Sequence, residues 1–312
     1  MKLINPSFEI LEQGPGLQGI YKQIELAGRT CYKSLDKITD DSAEGFVNRM
    51  VASKHYAMLE HGTVYLRFSH EAMEAKYGHV PEPFNAYMDP ISALYDLECK
   101  YGENPYSKIN HVAEDGLYVT TNYRVLVENG WLEDLEYLCE PTEHHEKRVT
   151  VRFTTDRGVS HEFVRHRVFS FAQESTRYCN YSKDKFGNEI QCIIPSWSDN
   201  MIEGNSYDWE LVQDYNLRQT EELSEPETRL IMSWCYDEAH YIMLLNKGIL
   251  TAQQARQVLP NALKTELVMT GFISDWQHFF DLRARGTTGA PHPDAKALAD
   301  PLMHEFENRQ LI

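Results

Sequence analysis

The 312-residue chain lacks most of the short signatures that mark well-known catalytic machinery. Gly14-Pro15-Gly16-Leu17-Gln18-Gly19 has the Gly-x-Gly-x-x-Gly spacing, but Gly14-Pro15-Gly16 reads as a turn and not as the first turn of a Rossmann dinucleotide site. There is no Gly-x-x-x-x-Gly-Lys-Ser/Thr phosphate loop, no Gly-x-Ser-x-Gly elbow and no His-Glu-x-x-His zinc pair. The six cysteines, Cys31, Cys99, Cys139, Cys179, Cys192 and Cys235, form no Cys-x-x-Cys, which points to reduced thiols in a cytoplasmic protein. No window is apolar for long enough to cross a bilayer, and Met1-Lys2-Leu3-Ile4-Asn5-Pro6 lacks the apolar core of a signal peptide. Positive charge is also scarce: 30 basic against 47 acidic residues leave 30 − 47 = −17. Nucleic acid and anionic membrane surfaces both demand a basic field, so neither is expected as a partner.

What the chain does have is a basic island. Arg165 to Tyr178 reads Arg-His-Arg-Val-Phe-Ser-Phe-Ala-Gln-Glu-Ser-Thr-Arg-Tyr, with three arginines, a histidine and two serines. Guanidinium pairs bidentately with phosphate and stays charged, so such a stretch suits an oxyanion-rich ligand. A solvated helix face is the bland alternative for a basic run, but Val164, Val168, Phe169 and Phe171 are threaded through this one and call for burial. Ser175-Thr176-Arg177 offers hydroxyls, consecutive amides and a guanidinium, the makings of an anion cradle.

The 42% hydrophobic and 12% aromatic content supports a real core, and neither repeats nor long linkers divide the chain. Helical spacing is expected for Gln18–Ala27 and for 41–53, where Asp41 or Ser42 can cap. Val64, Leu66 and Phe68 alternate as in a half-buried strand, and so do Val149, Val151 and Phe153 against Thr150, Arg152 and Thr154. Residues 70 to about 117, rich in proline, are the least regular, with helix fragments at Glu71–Tyr77 and Ile91–Tyr101 and an amphipathic helix after them at Val125–Leu138. Asp156-Arg157-Gly158 reads as a turn, with Ser160 capping a helix that runs to His166 and sets Glu162 and His166 on one face. Ile190–Pro195 is strand-like after a polar loop at Tyr181–Gly187. Long helices are expected over 206–247, broken near Ser224-Glu225-Pro226. A short helix begins at Thr251, and a closing one covers Ala295–Phe306. Leu263–Thr270 fits either a strand or the start of the helix carrying Trp276, Phe279 and Phe280.

Other chemistries are weaker on these residues. Ser170 or Ser175 beside His166 has no ordered triad around it. Cys179 reads as a small buried residue rather than a nucleophile. His55, His61 and His144-His145-Glu146 lack dense zinc spacing, and no metal is expected.

Arg165-His166-Arg167, a spacer, then Ser175-x-Arg177 resembles the signature of the flavin-dependent thymidylate synthases. Gly28–Ser34, His55 with Leu59-Glu60-His61, Ala255–Pro260 and Phe279–Arg283 resemble further segments of that family in the same order. The resemblance implies an enzyme that methylates dUMP to dTMP. Methylenetetrahydrofolate would supply the carbon and NADPH-reduced FAD the hydride, in a cytoplasmic homotetramer with flavin sites between subunits. The implied fold is α+β, an antiparallel-rich sheet flanked by long helices, as a single domain over 1–312 with an insertion at about 70–148. The resemblance assigns Gln173, Ser175, Thr176, Arg177, Arg256 and Arg283 to dUMP, with Arg283 and Ser175 as catalytic residues. It assigns His61, Thr63, Arg165, His166, Arg167 and His278 to FAD, and His292 to a later family histidine.

The chain also departs from that pattern. Phe272 and Ser274 stand where the family often carries Asn-x-Arg, and Asn122-Tyr123-Arg124 has that pattern instead, so Asn122 and Arg124 are candidates to take over the contact. Glu162 replaces a glutamine that touches the nucleotide in some members. A guanidinium near the uracil carbonyls would stabilise developing enolate charge, so no protein nucleophile is required. Two rival readings remain: a nucleotide-phosphate sensor without flavin chemistry, and, much disfavoured by charge, an RNA-binding module that stacks bases on Phe171, Tyr178 and Tyr181.

Overall fold

The computed structural model describes residues 1–78, 89–183, 187–213 and 223–312. Its centre is a four-stranded antiparallel sheet in the order β2 (Ser7–Leu11), β6 (Arg148–Asp156), β9 (Lys264–Phe272), β7 (Ser170–Gln173). β3 (Thr63–Ser69), β5 (Gly116–Asn122) and β4 (Lys108–Val112) form a second antiparallel sheet, while β1 (Lys2–Ile4) and β8 (Gln191–Ile193) pair in parallel. The architecture is thus α+β and antiparallel-rich, as expected.

The central sheet is covered on both faces, which explains why β9 is buried along almost its whole length. Side chains alternate with period two, so β9 feeds two cores. Val268, with Ala172 from β7, joins Ile20 and Ile24 of α1 (Gly16–Cys31). Leu267 and Met269, with Val149, Val151 and Phe153 of β6, pack against Phe163 and against Trp276 and Phe279 of α10 (Ile273–Phe280). Phe306 of α11 (Pro293–Asn308) closes that second layer. A third core gathers Leu3, Cys179, Cys192 and Trp234, the last on the long helix α8 (Glu225–Asn246). Ser224 precedes α8 and donates its N–H to the Glu227 carboxylate at 2.7 Å, with Pro226 in the first turn.

Leu263–Thr270 resolves as strand, with the helix carrying Trp276 starting only at Ile273, where the Asp275 carboxylate accepts the Phe272 N–H at 3.1 Å. Two other expectations need correction. The chain does not turn at Asp156-Arg157-Gly158: Asp156 itself caps α6 (Arg157–Phe163), its Oδ1 accepting the Val159 N–H at 2.8 Å. α6 therefore ends at Phe163, and His166 lies beyond it in a turn. The single helix over Val125–Leu138 is also broken. α5 (Tyr123–Asn129) stops at Gly130, whose φ of 72° is left-handed, and a 3-10 turn over Leu132–Tyr137 follows.

Segment 70–148 contributes α3 (His70–Tyr77), α4 (Pro90–Gly102), β4 and β5, and packs into the same core as α1 through Leu94, Tyr101, Val119 and Leu126. Pro81 and Pro83, residues 184–186 of the polar loop and residues 214–222 of the 206–247 span lie outside the described residues. Among the described residues, no helix is long and apolar enough to cross a membrane.

Candidate active site

One face of the central sheet changes from apolar to polar along its length. Beyond Val268 and Ala172 it presents Thr270 of β9, flanked in register by Thr150 on β6 and Ser170 on β7. Thr150 Oγ1 and Thr270 Oγ1 are 2.8 Å apart, and Thr270 Oγ1 lies 2.8 Å from His61 Nδ1. His61 is fully buried, and its Nε2 has no hydrogen-bond partner among the described residues. Burial, with help from the Arg148 charge, pulls its pKa down to about 3, so the ring is neutral.

Arg148 opens β6 on this polar face. Its guanidinium donates to the Glu60 carbonyl at 3.1 Å, Thr63 Oγ1 at 3.3 Å and Ser170 Oγ at 3.3 Å. All three acceptors are neutral, and Arg148 has no ion-pair partner among the described residues. Desolvation lowers its pKa to about 10, leaving it a cation at neutral pH.

Arg148 faces a cavity of about 520 Å³. Arg167, Ser170 and Phe169 line one side of it, Phe272 and Asp275 the floor, and Tyr106, Lys108, Asn122 and Arg124 the far wall. The floor lies close because Gly271 has no side chain: a Cβ there would stand 2.5 Å from the Phe169 ring. Asn122 and Arg124 do reach the cavity, but both are already engaged. Asn122 Oδ1 accepts the Val125 N–H at 3.2 Å, capping α5, and Arg124 pairs with Glu60 at 2.5 Å and Glu128 at 2.8 Å.

A second cluster surrounds His166. Arg283 donates from Nε to His166 Nε2 at 3.1 Å, from NH2 to the Glu162 carbonyl at 2.9 Å, and from NH1 to the Glu162 carboxylate. Arg283 lies in a π-turn over Asp281–Arg285, immediately after α10. Its remaining N–H groups are left for a ligand. Burial, then the Arg283 charge and His278, pull His166 down to about 4. The exposed His278 ring is 6.1 Å from that of His166.

The third cluster is the Ser175–Arg177 turn. Ser175 N–H donates to the Cys31 carbonyl at 3.0 Å, and Ser175 Oγ accepts the Arg177 N–H at 3.3 Å. Beneath the turn, buried Glu174 meets Lys264 at 3.0 Å and the Tyr181 hydroxyl at 3.0 Å. Exposed Arg177 donates to Gln253 at 3.1 Å, which brings the turn beside α9 (Ala252–Ala255) and exposed Arg256. Gln173 is tied to Ser160 at 2.9 Å and Thr265 at 3.3 Å.

The predicted residues therefore fall into three places on one chain. Arg177 and Arg256 share a surface, and His166, Arg283 and His278 form a cluster. Arg167 lines the cavity, with Thr63 and His61 behind it. Arg165 is exposed, and its side chain makes no hydrogen bond or ion pair among the described residues. His292 caps α11, its Nδ1 accepting the Asp294 N–H at 3.3 Å. Arg148, Lys108 and the Phe272 floor were not predicted as ligand contacts. The available signal was Arg148 on the polar face of an alternating strand, one period from Thr150. Cys179 is buried, and burial pushes its thiol up to about 12, far from a nucleophilic thiolate.

The family described as thymidylate synthase complementing protein matches residues 137–309. That stretch contains every predicted site residue from Arg165 to Arg283 and begins after His61 and Thr63. The flavin-dependent thymidylate synthase of Corynebacterium diphtheriae is 30% identical over 142 residues, 46% of this chain and 50% of that protein. The probable flavin-dependent thymidylate synthase of Paramecium bursaria Chlorella virus 1 is 30% identical over 160 residues, 51% of this chain and 67% of the viral one. The chain thus spans about half the length of the corynebacterial relative it matches. Among solved structures, a UMP/dUMP methylase, PolB from Streptomyces cacaoi, covers 99% of this chain and 92% of its own at 15% identity and a TM-score of 0.40, too distant a likeness to carry detail.

Proposed function

Because the chain belongs to the thymidylate synthase complementing protein family, we propose that it methylates dUMP to dTMP with FAD as resident cofactor. The observation that carries this reading is the set of cations within the family stretch: Arg148 and Arg167 lining the cavity, and exposed Arg177 and Arg256 by the surface turn. A flavin nucleotide and a nucleotide phosphate both demand such cations, and the neutral hydroxyl–imidazole row behind Arg148 suits a polar ring edge. Residues that fit FAD are Arg165, His166, Arg167 and His278, with His61 and Thr63 supporting from behind.

When bound, the flavin supplies the hydride, drawn in this reading from NADPH, while methylenetetrahydrofolate supplies the carbon. The protein's part is to bind and orient. Ser175, Thr176 and Arg177, with Arg256, hold the dUMP phosphate, and Gln173 lies at the end of the strand leading into that turn. Arg283 offers its unused N–H groups to uracil carbonyls, where enolate charge develops as C5 becomes nucleophilic. Neutral His166 accepts from Arg283 and fixes the fork's orientation. We read the whole chain as one domain, with 70–148 as an insertion, working as a homotetramer in the cytoplasm. Three separated clusters on one chain are what sites shared between copies require.

The test is reconstitution. Purified protein incubated with FAD is expected to retain flavin absorbance through gel filtration and to bind dUMP. A protein that binds dUMP but cannot be loaded with flavin would instead be the nucleotide sensor.

A further inference from the structure

The cavity beside Arg148 carries more positive charge than the family motif accounts for. Arg124 is matched by Glu60 and Glu128. Lys108, Arg148 and Arg167 have no ion pair among the described residues, and the lining sets four cations, Lys108, Arg124, Arg148 and Arg167, against three carboxylates, Glu60, Glu128 and Asp275. Asp275 is itself occupied by the Phe272 N–H, and burial raises its pKa, weakening it as a counter-charge.

Two of these cations come from outside the Arg-His-Arg run and converge on a single ring. Lys108 Nζ stands 5.7 Å from the Phe272 centroid, and the Arg148 guanidinium carbon stands 5.5 Å from it. Phe272 is buried, so it cannot serve as a stacking platform for a ligand. Its physical effect is to hold two like charges at the rim of one opening. Lys108 is exposed on β4, an edge strand of the second sheet, and reaches the cavity across Phe272. Two like charges held against one ring, in a lining with fewer carboxylates than cations, favour an anion that joins them.

We propose that Lys108 and Arg148 form an oxyanion-holding wall, so that segment 70–148 recognises the anionic end of the ligand whose ring lies towards Arg167. This rests on reading the cavity as a cofactor or co-substrate site. Two ligands carry the right chemistry: the pyrophosphate of FAD and the glutamate carboxylates of the folate. Arg148 stays anchored by its three neutral acceptors, while Lys108, on a flexible stem, adapts to the anion.

The experiment uses the full chain with Lys108→Glu, a change at an exposed residue, and Arg148→Gln. FAD and riboflavin affinities are read by flavin fluorescence, inorganic pyrophosphate by its protection against thermal unfolding, and KM is compared for mono- and triglutamylated methylenetetrahydrofolate. Loss of a charge-assisted contact predicts about a ten- to hundredfold weakening of the anionic ligand that uses the wall, with riboflavin unaffected. Weakened FAD and pyrophosphate identify the flavin as its source. A lost preference for the triglutamate identifies the folate. If Lys108→Glu and every folded Arg148→Gln sample bind all probes within about twofold of the parent, the wall is only packing and the inference is overturned. Failure of the proposed function would appear in the parent protein itself, whereas failure of this inference appears only as indifference of the variants.

Discussion

Arg283 Nε lies 3.1 Å from His166 Nε2, joining the π-turn after α10 to the Arg-His-Arg segment. Because Arg283 is the donor, Nε2 must present its lone pair, and His166 is neutral with its proton on Nδ1. The lowered pKa of about 4 agrees. The ordinary value is 6.5, so between those limits the unfolded chain binds a proton that the folded chain refuses. The resulting stability is fully present above 6.5 and falls as pH drops from there towards 4, and His61 adds to it in the same direction. Urea midpoints measured from neutral pH down through this range should fall more steeply for the parent than for His166→Gln. Equal slopes would contradict the buried neutral ring.

Arg177 is exposed and spends one donor on Gln253, which leaves its fork for phosphate. Arg177→Ala should weaken dUMP by about 1.5–3 kcal/mol, roughly tenfold or more in Kd, with little change in stability. Near-parental dUMP affinity by calorimetry would mean that the phosphate binds elsewhere.

Gly271 is required by the Phe169 ring, not by its backbone angles. Gly271→Ala should overpack the central strand at a cost of about 1–3 kcal/mol. It should also weaken FAD, because Phe169 and Arg167 share the cavity wall. An unchanged Tm would show that the ring can move aside.

Arg124 has both of its carboxylate partners on or near the surface, so Arg124→Ala should lower stability by about 1 kcal/mol or less. With its charge already matched, the same variant should change FAD affinity less than Lys108→Glu does. A larger loss for Arg124→Ala would return the contact to Asn122 and Arg124.

Glu174 and Lys264 form a buried ion pair under the Ser175–Arg177 turn. Lys264 also pairs with Glu266 at 2.6 Å, so Lys264→Met removes the cation from two carboxylates and should destabilise by about 3–5 kcal/mol and raise KM for dUMP as the turn loosens. Glu174→Gln with Lys264→Met should recover part of that stability, because Glu174 is the more deeply buried of the two carboxylates while Glu266 stays without its cation. If the pair of changes is no better than Lys264→Met alone, the cost lies elsewhere.

Strands and helices with clean periodicity were legible in the sequence: β6 from its alternation, α1 from its apolar face, α8 from Ser224 and Pro226. Asp156 was misjudged because Asp-x-Gly signals a turn as strongly as a cap, and only the Val159 N–H contact separates the two. Gly130 breaks the helix at Val125–Leu138, since a glycine inside a helical pattern is tolerated in sequence and becomes a stop only once it turns left-handed. Composition alone marks the basic island as a candidate anion site, and its proposed division between flavin and nucleotide rests on the family resemblance. Arg148 was not foreseen as a ligand contact. Its three acceptors come from residues 60, 63 and 170, and nothing local marks it as a cation without a counter-ion.

The central claim is that this chain replaces hydrogen at C5 of dUMP in a flavin-dependent reaction. Release of tritium from 5-tritiated dUMP measures that replacement directly. With FAD, NADPH and methylenetetrahydrofolate present, the full chain is expected to release tritium and form dTMP, and omission of FAD from flavin-stripped protein should abolish both. Flavin-loaded protein that binds dUMP yet releases no tritium with all components present would contradict the account.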